Sequence, residues 1–338
     1  MNILVTLDYE LFNGREGGTV QNCLIKPLDA FISIISRYNC HVTLFVDACF
    51  LLRLKELKDQ MDFLKKDWDS ISNQLRNLSK QGHSIQLHLH PQWLNANVKN
   101  GRWYSDLSLY KLSDLPNDDA VKLFNEGCGL IEEITGVKPI AFRAGDYCVQ
   151  TFQGLCSAFD KNGILIDSSV LRGKFSINER EWFDYRRIPR EYSYRFTKSV
   201  TDKDINGRFW EISIPTYAHS LIDIYLRKNK LKKYGRSNVK WGDGTSSTGG
   251  QMLSPSRKIL HYINYIFKKN KMSASVDGIS ASYLSEIYKQ EKRKGAPYML
   301  IMGHPKTFTP TYINLFEEFI QGVTAEDKIC TINKMIEK

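Results

Sequence analysis

Short apolar runs rich in β-branched residues alternate with longer amphipathic stretches along most of this chain, and that alternation restricts it to one class of fold. "NILVTLD" opens the chain and is followed, after a Gly-rich loop, by the helical pattern "LIKPLDAFISIISRY". "HVTLFVD" precedes a charged stretch from about Leu54 to Lys80 that reads as one long helix. "HSIQLHLH" precedes a helix that Asn117 or Asp118 can cap and that Gly136 ends after Thr135. "PIAFRA", the helical "TFQGLCSAFDKN" and "GILIDSS" continue the series. Parallel strands need a crossover between them, so strands alternating with helices predict an α/β fold with a parallel sheet.

The pattern weakens from Val170 to about Ser247, where "RFWEISIP" is the one clear strand. It returns with helices near Ser254–Lys269 and Ser280–Lys294, the strand "YMLIMGH", a helix from about Pro310 and a short final strand "KICTI". The expectation is one barrel-like domain over residues 1–338, with an irregular insertion at about 170–297. An open doubly wound sheet is the alternative, because periodicity does not show whether a sheet closes.

Polar residues on such strands stand out, since parallel strands buried on both faces normally read as continuous apolar runs. Successive side chains of a strand point to opposite faces. In the first strand Thr6, Asp8 and Glu10 share one face, and Ile3, Val5 and Leu7 the other. In the third, Ser84, Gln86, His88 and His90 oppose Ile85, Leu87 and Leu89. Two carboxylates and two imidazoles thus fall at the C-terminal ends of separate strands, where α/β folds place their sites. Carboxylate and imidazole together suit a divalent ion. His83 has the wrong parity and reads as structural; His41, His219 and His261 lack supporting context.

These motifs resemble the polysaccharide deacetylases of the chitin and peptidoglycan deacetylase kind. "TLDYE" looks like the family's Asp-x-Asp/Glu opening, and "GHSIQLHLHPQ" matches its His-Ser/Thr-x-x-His strand through His88. "FRAG", "GILIDSS" and "LIMGHP" follow in the family's order. The resemblance implies a distorted (β/α) barrel of about seven parallel strands and an N-deacetylase acting on an N-acetylated sugar or glycan. It makes Asp8 the catalytic base, with Arg143 its charge partner, and Glu10 and His88 metal ligands. Gln92 stands at the family's third-ligand position, and His90, on the face of His88, is the nearest substitute. His304 becomes the general acid, Asp167 the residue that orients a histidine, and the backbone near Asp146 an oxyanion donor. The implied cofactor is one divalent ion, zinc first, with cobalt, nickel or manganese as alternatives. Asp47, Trp93 and the "GREGGT" loop from Gly14 to Thr19 are expected at the substrate mouth, and Trp103 and Tyr104 nearby.

Composition sets the remaining bounds. With 42% hydrophobic and 25% charged residues among 338, the chain is an ordinary globular one. No apolar run approaches the ~20 residues that span a bilayer, and "MNILVTLDYE" lacks the features of a signal peptide. Seven cysteines without a CxxC pair read as reduced thiols. A cytoplasmic protein is therefore expected. The net charge of +10 concentrates in "LRKNKLKKYGRSNVK", Leu226–Lys240, which has seven Lys or Arg and no acid. With the helical pattern "RKILHYINYIFKKNK" it would suit a nucleotide sugar's phosphates or an anionic inner-leaflet surface; packing of that stripe on the barrel is the plainer alternative. No nucleic-acid recognition motif accompanies the charge. Two rivals to the deacetylase reading are a hydrolase of another small amide and a non-catalytic glycan-binding or structural descendant.

Overall fold

The computed structural model describes residues 1–235, 239–246 and 270–336. Nine strands form its main sheet: β1 (Asn2–Tyr9), β2 (Thr43–Asp47), β3 (Ser84–Leu89), β4 (Ala141–Ala144), β5 (Ile166–Asp167), β6 (Ser193–Phe196), β7 (Phe209–Ile212), β8 (Tyr298–Gly303) and β9 (Lys328–Cys330). Their order is β6-β7-β5-β4-β3-β2-β1-β8, with β9 also beside β1. Every pairing is parallel except β6 with β7. The sheet is strongly curled and forms a half-barrel with helices, the distorted (β/α) barrel expected. The neighbours run from β5 back to β1 without reversal, and β8 then closes on the far side of β1. A doubly wound sheet would reverse its strand order in the middle.

The open side lies between β8 and the β6–β7 edge, and the insertion narrows it. Residues 274–276 run beside β8, bonded through Met302 N to Ala274 O and Val276 N to Met302 O. The adjoining strand Asn270–Ser273 pairs with Thr216–His219. From β8 itself the Tyr298 hydroxyl reaches across to Tyr192 O at 2.7 Å and Ser213 O at 2.9 Å.

Both faces of the sheet are buried, as the apolar runs require. Ile3, Val5 and Leu7 belong to the large outer core, with Phe31 and Ile35 of helix Lys26–Arg37. Leu4, Phe45, Ala141, Ile166, Ile212 and Leu300 form a smaller inner core that Ile332, just after β9, also joins. Asn333 accepts from Ser84 Oγ at 2.8 Å, while Gln86 Oε1 accepts from the amides of Ile140 and Ala141. The lower polar residues of β3 are thereby used structurally, and those higher up remain for a site.

Some elements differ from expectation. The charged stretch expected as one helix from Leu54 is two, Ala48–Leu57 and Asp62–Lys80; no Gly or Pro marks the break in sequence. Helix Asn117–Thr135 does end at Gly136, whose φ of 75° suits a residue without a Cβ. The expected insertion contributes β6 and β7 to the sheet, so part of it belongs to the barrel wall. The helix expected near Ser254–Lys269 lies outside the described residues.

Candidate metal and catalytic site

The parallel strands deliver their polar residues to one end of the half-barrel, as the strand parity requires. Asp8 and Glu10 come from the end of β1, His88 and His90 from β3, Arg143 from β4, and His304 follows β8. Oxygen and nitrogen atoms of Glu10, His88 and His90 all lie within 4.8 Å of one another, as do those of Asp8, Glu10 and His304.

Hydrogen bonds fix how the histidines face this cluster. His88 Nδ1 is 2.7 Å from Arg143 O, and a carbonyl only accepts, so Nδ1 carries the hydrogen. In the neutral ring Nε2 then presents its lone pair to Glu10 Oε2, 3.2 Å away. Two acceptors facing each other at that distance suit a shared cation. His90 Nε2 contacts the same carboxylate oxygen. On the far side of the His90 ring, Gln92 Nε2 is 3.1 Å from Nδ1, and Gln92 Oε1 is buried with no partner among the described residues. Turning that amide over would let its oxygen accept from Nδ1–H and free the His90 Nε2 lone pair. Gln92 stands behind His90 and not in the ligand cluster. Burial alone would push His90 down, but Glu10, Asp146 and Asp47 hold it up at about 9.

Glu10 divides its oxygens. Oε2 faces the two histidines, and Oε1 accepts from the buried Lys306 ammonium at 2.9 Å. Lys306 also donates to Leu11 O at 2.8 Å. Burial raises the Glu10 carboxyl, and Lys306 with His90 more than offsets this, holding it well below the usual range.

Asp8 faces a second cation. Arg143, fully buried, donates through Nη1 to Asp8 Oδ1 at 2.5 Å, through Nη2 to Thr6 and Ser168, and through Nε to Ser168 O. Its guanidinium also lies over the Phe45 ring, 4.2 Å from the centroid. Against the upward push of burial, Arg143, His304 and His88 keep Asp8 below the ordinary carboxylate range. The other oxygen, Oδ2, faces His304 Nε2 at 3.5 Å. His304 Nδ1 is held at 2.6 Å by Asp277 Oδ2. Burial disfavours the His304 cation, yet Asp277 and Asp8 raise its pKa to about 10. The ring keeps 22% of its side-chain surface exposed, so it can meet a ligand.

No protein-family model matches the sequence, and no curated protein does. Solved structures do match. A probable polysaccharide deacetylase from Pseudomonas aeruginosa PAO1 superposes with a TM-score of 0.52 at 12% identity, over 99% of this chain and 89% of that one. A polysaccharide deacetylase candidate from Mycobacterium smegmatis gives 0.51 at 12% identity, over 99% and 88%. The allantoinase PuuE gives 0.50 at 11%, over the same shares. The chain has the polysaccharide deacetylase fold.

Within the deacetylase fold, several residues sit elsewhere than expected. Asp167 is on the outer face of β5, where Ser169 Oγ donates to it and Glu211 is its charged neighbour. Among the described residues no histidine is bonded to it; Asp277 holds His304 instead. Trp93 is fully buried, edge-on to Phe50 and pressed against Gly17, where a Cβ would come within 2.3 Å of the indole. It therefore has no face for a sugar, and the same burial removes Trp103. Asp47 is buried too: its Oδ1 caps helix Ala48–Leu57 at Cys49 N and accepts from His90 N at 3.2 Å, so it positions the His90 backbone beneath the mouth. Asp146 does reach the rim, on a turn with positive φ at Asp146 (47°) and Tyr147 (63°), with its Oδ2 3.8 Å from His90 Nδ1. The "GREGGT" loop is bonded to the 243–245 segment, through Thr245 N to Glu16 O and Thr19 N to Asp243.

Asp277 and Lys306 carried no signal of their own in the sequence. Asp277 depends on residues 274–276 running beside β8, a pairing that follows an irregular stretch. Lys306 is two residues beyond His304 in "GHPK", and a 3₁₀ turn at Pro305–Thr307 brings it back to Glu10.

Proposed function

We propose that this chain is a metal-dependent N-deacetylase that hydrolyses the acetamido group of an N-acetylated sugar. The observation that carries this is the joint presence, on the deacetylase fold, of Glu10, His88 and His90 beside the Asp8–Arg143 and His304–Asp277 pairs. Glu10, His88 and His90 would hold the ion. A divalent ion there, zinc first with cobalt, nickel or manganese as alternatives, polarises an acetyl carbonyl and lowers the pKa of a water from 15.7 to about 7.

The residues divide the proton work. Asp8, kept ionised by Arg143, accepts a proton from the attacking water as the new carbon–oxygen bond forms. His304, kept protonated by Asp277, donates from Nε2 to the nitrogen as the carbon–nitrogen bond breaks, leaving acetate and an amine. The turn with positive φ at Asp146 and Tyr147 would supply the backbone N–H that meets the developing oxyanion.

One observation favours a non-catalytic descendant, because the Lys306 ammonium already neutralises Glu10. Oε2, which Lys306 does not touch and which faces both histidines, favours the catalytic reading. We place the protein in the cytoplasm, since no two of its seven cysteines are joined in a disulfide among the described residues. No helix of the described residues is long and apolar enough to cross a membrane. Contact with an anionic inner-leaflet surface through the 226–271 region rests on helix Leu221–Lys232, which exposes Ile222, Tyr225 and Leu226 among lysines. Of the expected helix "RKILHYINYIFKKNK", residues 257–269 lie outside the described residues, and Asn270 and Lys271 belong to a strand.

Acetate release from a panel of N-acetylated sugars and glycans tests the reading, before chelation, after it, and after zinc is restored. Turnover should vanish with chelation and return with the ion. Glycan binding without acetate release, or release indifferent to chelation, would overturn it.

A further inference from the structure

A cavity of about 670 Å³ opens beside the proposed active site and shares Asp277 with it, together with Thr307, whose hydroxyl donates to Asp277 Oδ1 at 2.7 Å. Three lysines from distant parts of the chain line it: Lys174, Lys240 and Lys271. Lys271 lies on the strand paired with Thr216–His219, and its Nζ is pressed so close to Gly173 that a Cβ there would sit 2.9 Å away. Lys240 lies over the Phe12 ring, 4.2 Å from the centroid, and Lys306 of the Glu10 cluster lies 5.4 Å from the same ring.

None of the three lysines forms an ion pair among the described residues. Of the side chains outside the described residues, Glu337 alone is acidic. Of the three lysines, Lys174 is partly buried and Lys240 and Lys271 are exposed; among the partly buried cations of this chain, Arg102 pairs with Glu16, Lys111 with Asp114 and Arg227 with Glu286. Lys174 is half-buried, and its pKa is pushed down by burial and then by the Lys271 charge. Like charges gathered in one hollow repel one another, and an anion in the hollow would relieve that repulsion.

We propose that this cavity binds the phosphate or diphosphate of a glycosyl phosphate, so that the substrate is an N-acetylated sugar carrying that anion on its anomeric carbon. The inference rests on the deacetylase reading and narrows its substrate class. Three ammonium groups bring three charges and three donors each. A phosphate monoester supplies nearly two negative charges and three acceptor oxygens, whereas a sugar carboxylate supplies one charge. The acetamido group on C2 and the phosphate on C1 are neighbours on one ring. A subsite that touches the His304–Asp277 pair is therefore where such a substrate would place its anion.

Calorimetric titration with inorganic pyrophosphate tests the subsite without any turnover. The wild-type chain should bind it at low salt, and the Lys174→Ala/Lys271→Ala double variant should bind at least tenfold more weakly, with unchanged thermal melting and zinc uptake. No binding by the wild type, or equal binding by both proteins, would overturn the subsite. Because pyrophosphate carries no acetamido group, this result stands whether or not the deacetylase reading does.

Acetate release then separates the sources. An N-acetylhexosamine 1-phosphate, a nucleoside-diphosphate N-acetylhexosamine and a polyprenyl-diphosphate N-acetylhexosamine in micelles are compared with the free sugar. At least one should show a KM tenfold or more below that of the free sugar, and the double variant should erase the advantage; the preferred one names the source. Equal kcat/KM for all four, or preference for an N-acetylated uronic acid, would count against a phosphate subsite.

Discussion

His304 and Asp277 show how one contact sets the working range of a site. Burial alone would keep the imidazole neutral, and the Asp277 carboxylate, 2.6 Å from Nδ1, together with Asp8 raises its pKa from 6.5 to about 10. An acid must be protonated to act, so activity should fall as pH rises through that value. In Asp277→Asn the raising charge is gone, and the alkaline limb of the pH profile should move to lower pH. Turnover at pH 8 should drop by roughly 10- to 10²-fold, with a smaller loss at pH 6. An alkaline limb that stays in place would remove His304 from the acid role. The same shift stabilises the fold: the contribution is full below pH 6.5 and is lost as pH climbs through about 10. Asp8, with its pKa lowered, contributes in the opposite sense, losing its share as pH falls into the acid range. At this scale much was legible. Asp8, Glu10, His88 and His90 could be read because a polar residue on a strand buried on both faces needs a reason to be there. Asp277 and Lys306 could not, because their positions depend on chain segments that meet only in three dimensions.

Among the elements, β5 and β7 hold a feature that sequence reading misassigned. Asp167 and Glu211 are both fully buried on their outer faces, and burial pushes both carboxyls up, Glu211 well above its usual range and further because of Asp167. The resemblance of "GILIDSS" to a deacetylase motif makes Asp167 the residue that orients a histidine; strand parity sends it to the opposite face from the site. A carboxyl with a raised pKa binds its proton more tightly in the folded chain, so this pair weakens the fold as pH rises above the ordinary carboxylate range. Glu211→Gln should therefore raise the thermal midpoint at pH 8, by on the order of a few degrees, and by less at pH 5. A gain that is equal at both values, or larger at pH 5, would refute the reading that burial and Asp167 raise the Glu211 carboxyl. The strands themselves were readable from continuous apolar runs. The break between helices Ala48–Leu57 and Asp62–Lys80 was not, since charged residues continue through it, and β6 was hidden by the polar sequence "SYRF".

For the whole molecule, strand order and curl were beyond periodicity, which records burial but not closure. They decide the outcome, because curling the sheet gathers Glu10, His88 and His90 from two strands that are not direct neighbours, with β2 between them. That convergence is the centre of the functional reading, and zinc calorimetry on chelator-stripped protein tests it most directly. The wild type should take up one ion per chain. His88→Ala and His90→Ala should each lose it by on the order of 10²-fold or more, and Gln92→His should change affinity little, because Gln92 stands behind His90 and not among the ligands. A wild type that binds no divalent ion, or a His88→Ala variant that binds zinc as tightly as the wild type, would contradict the site.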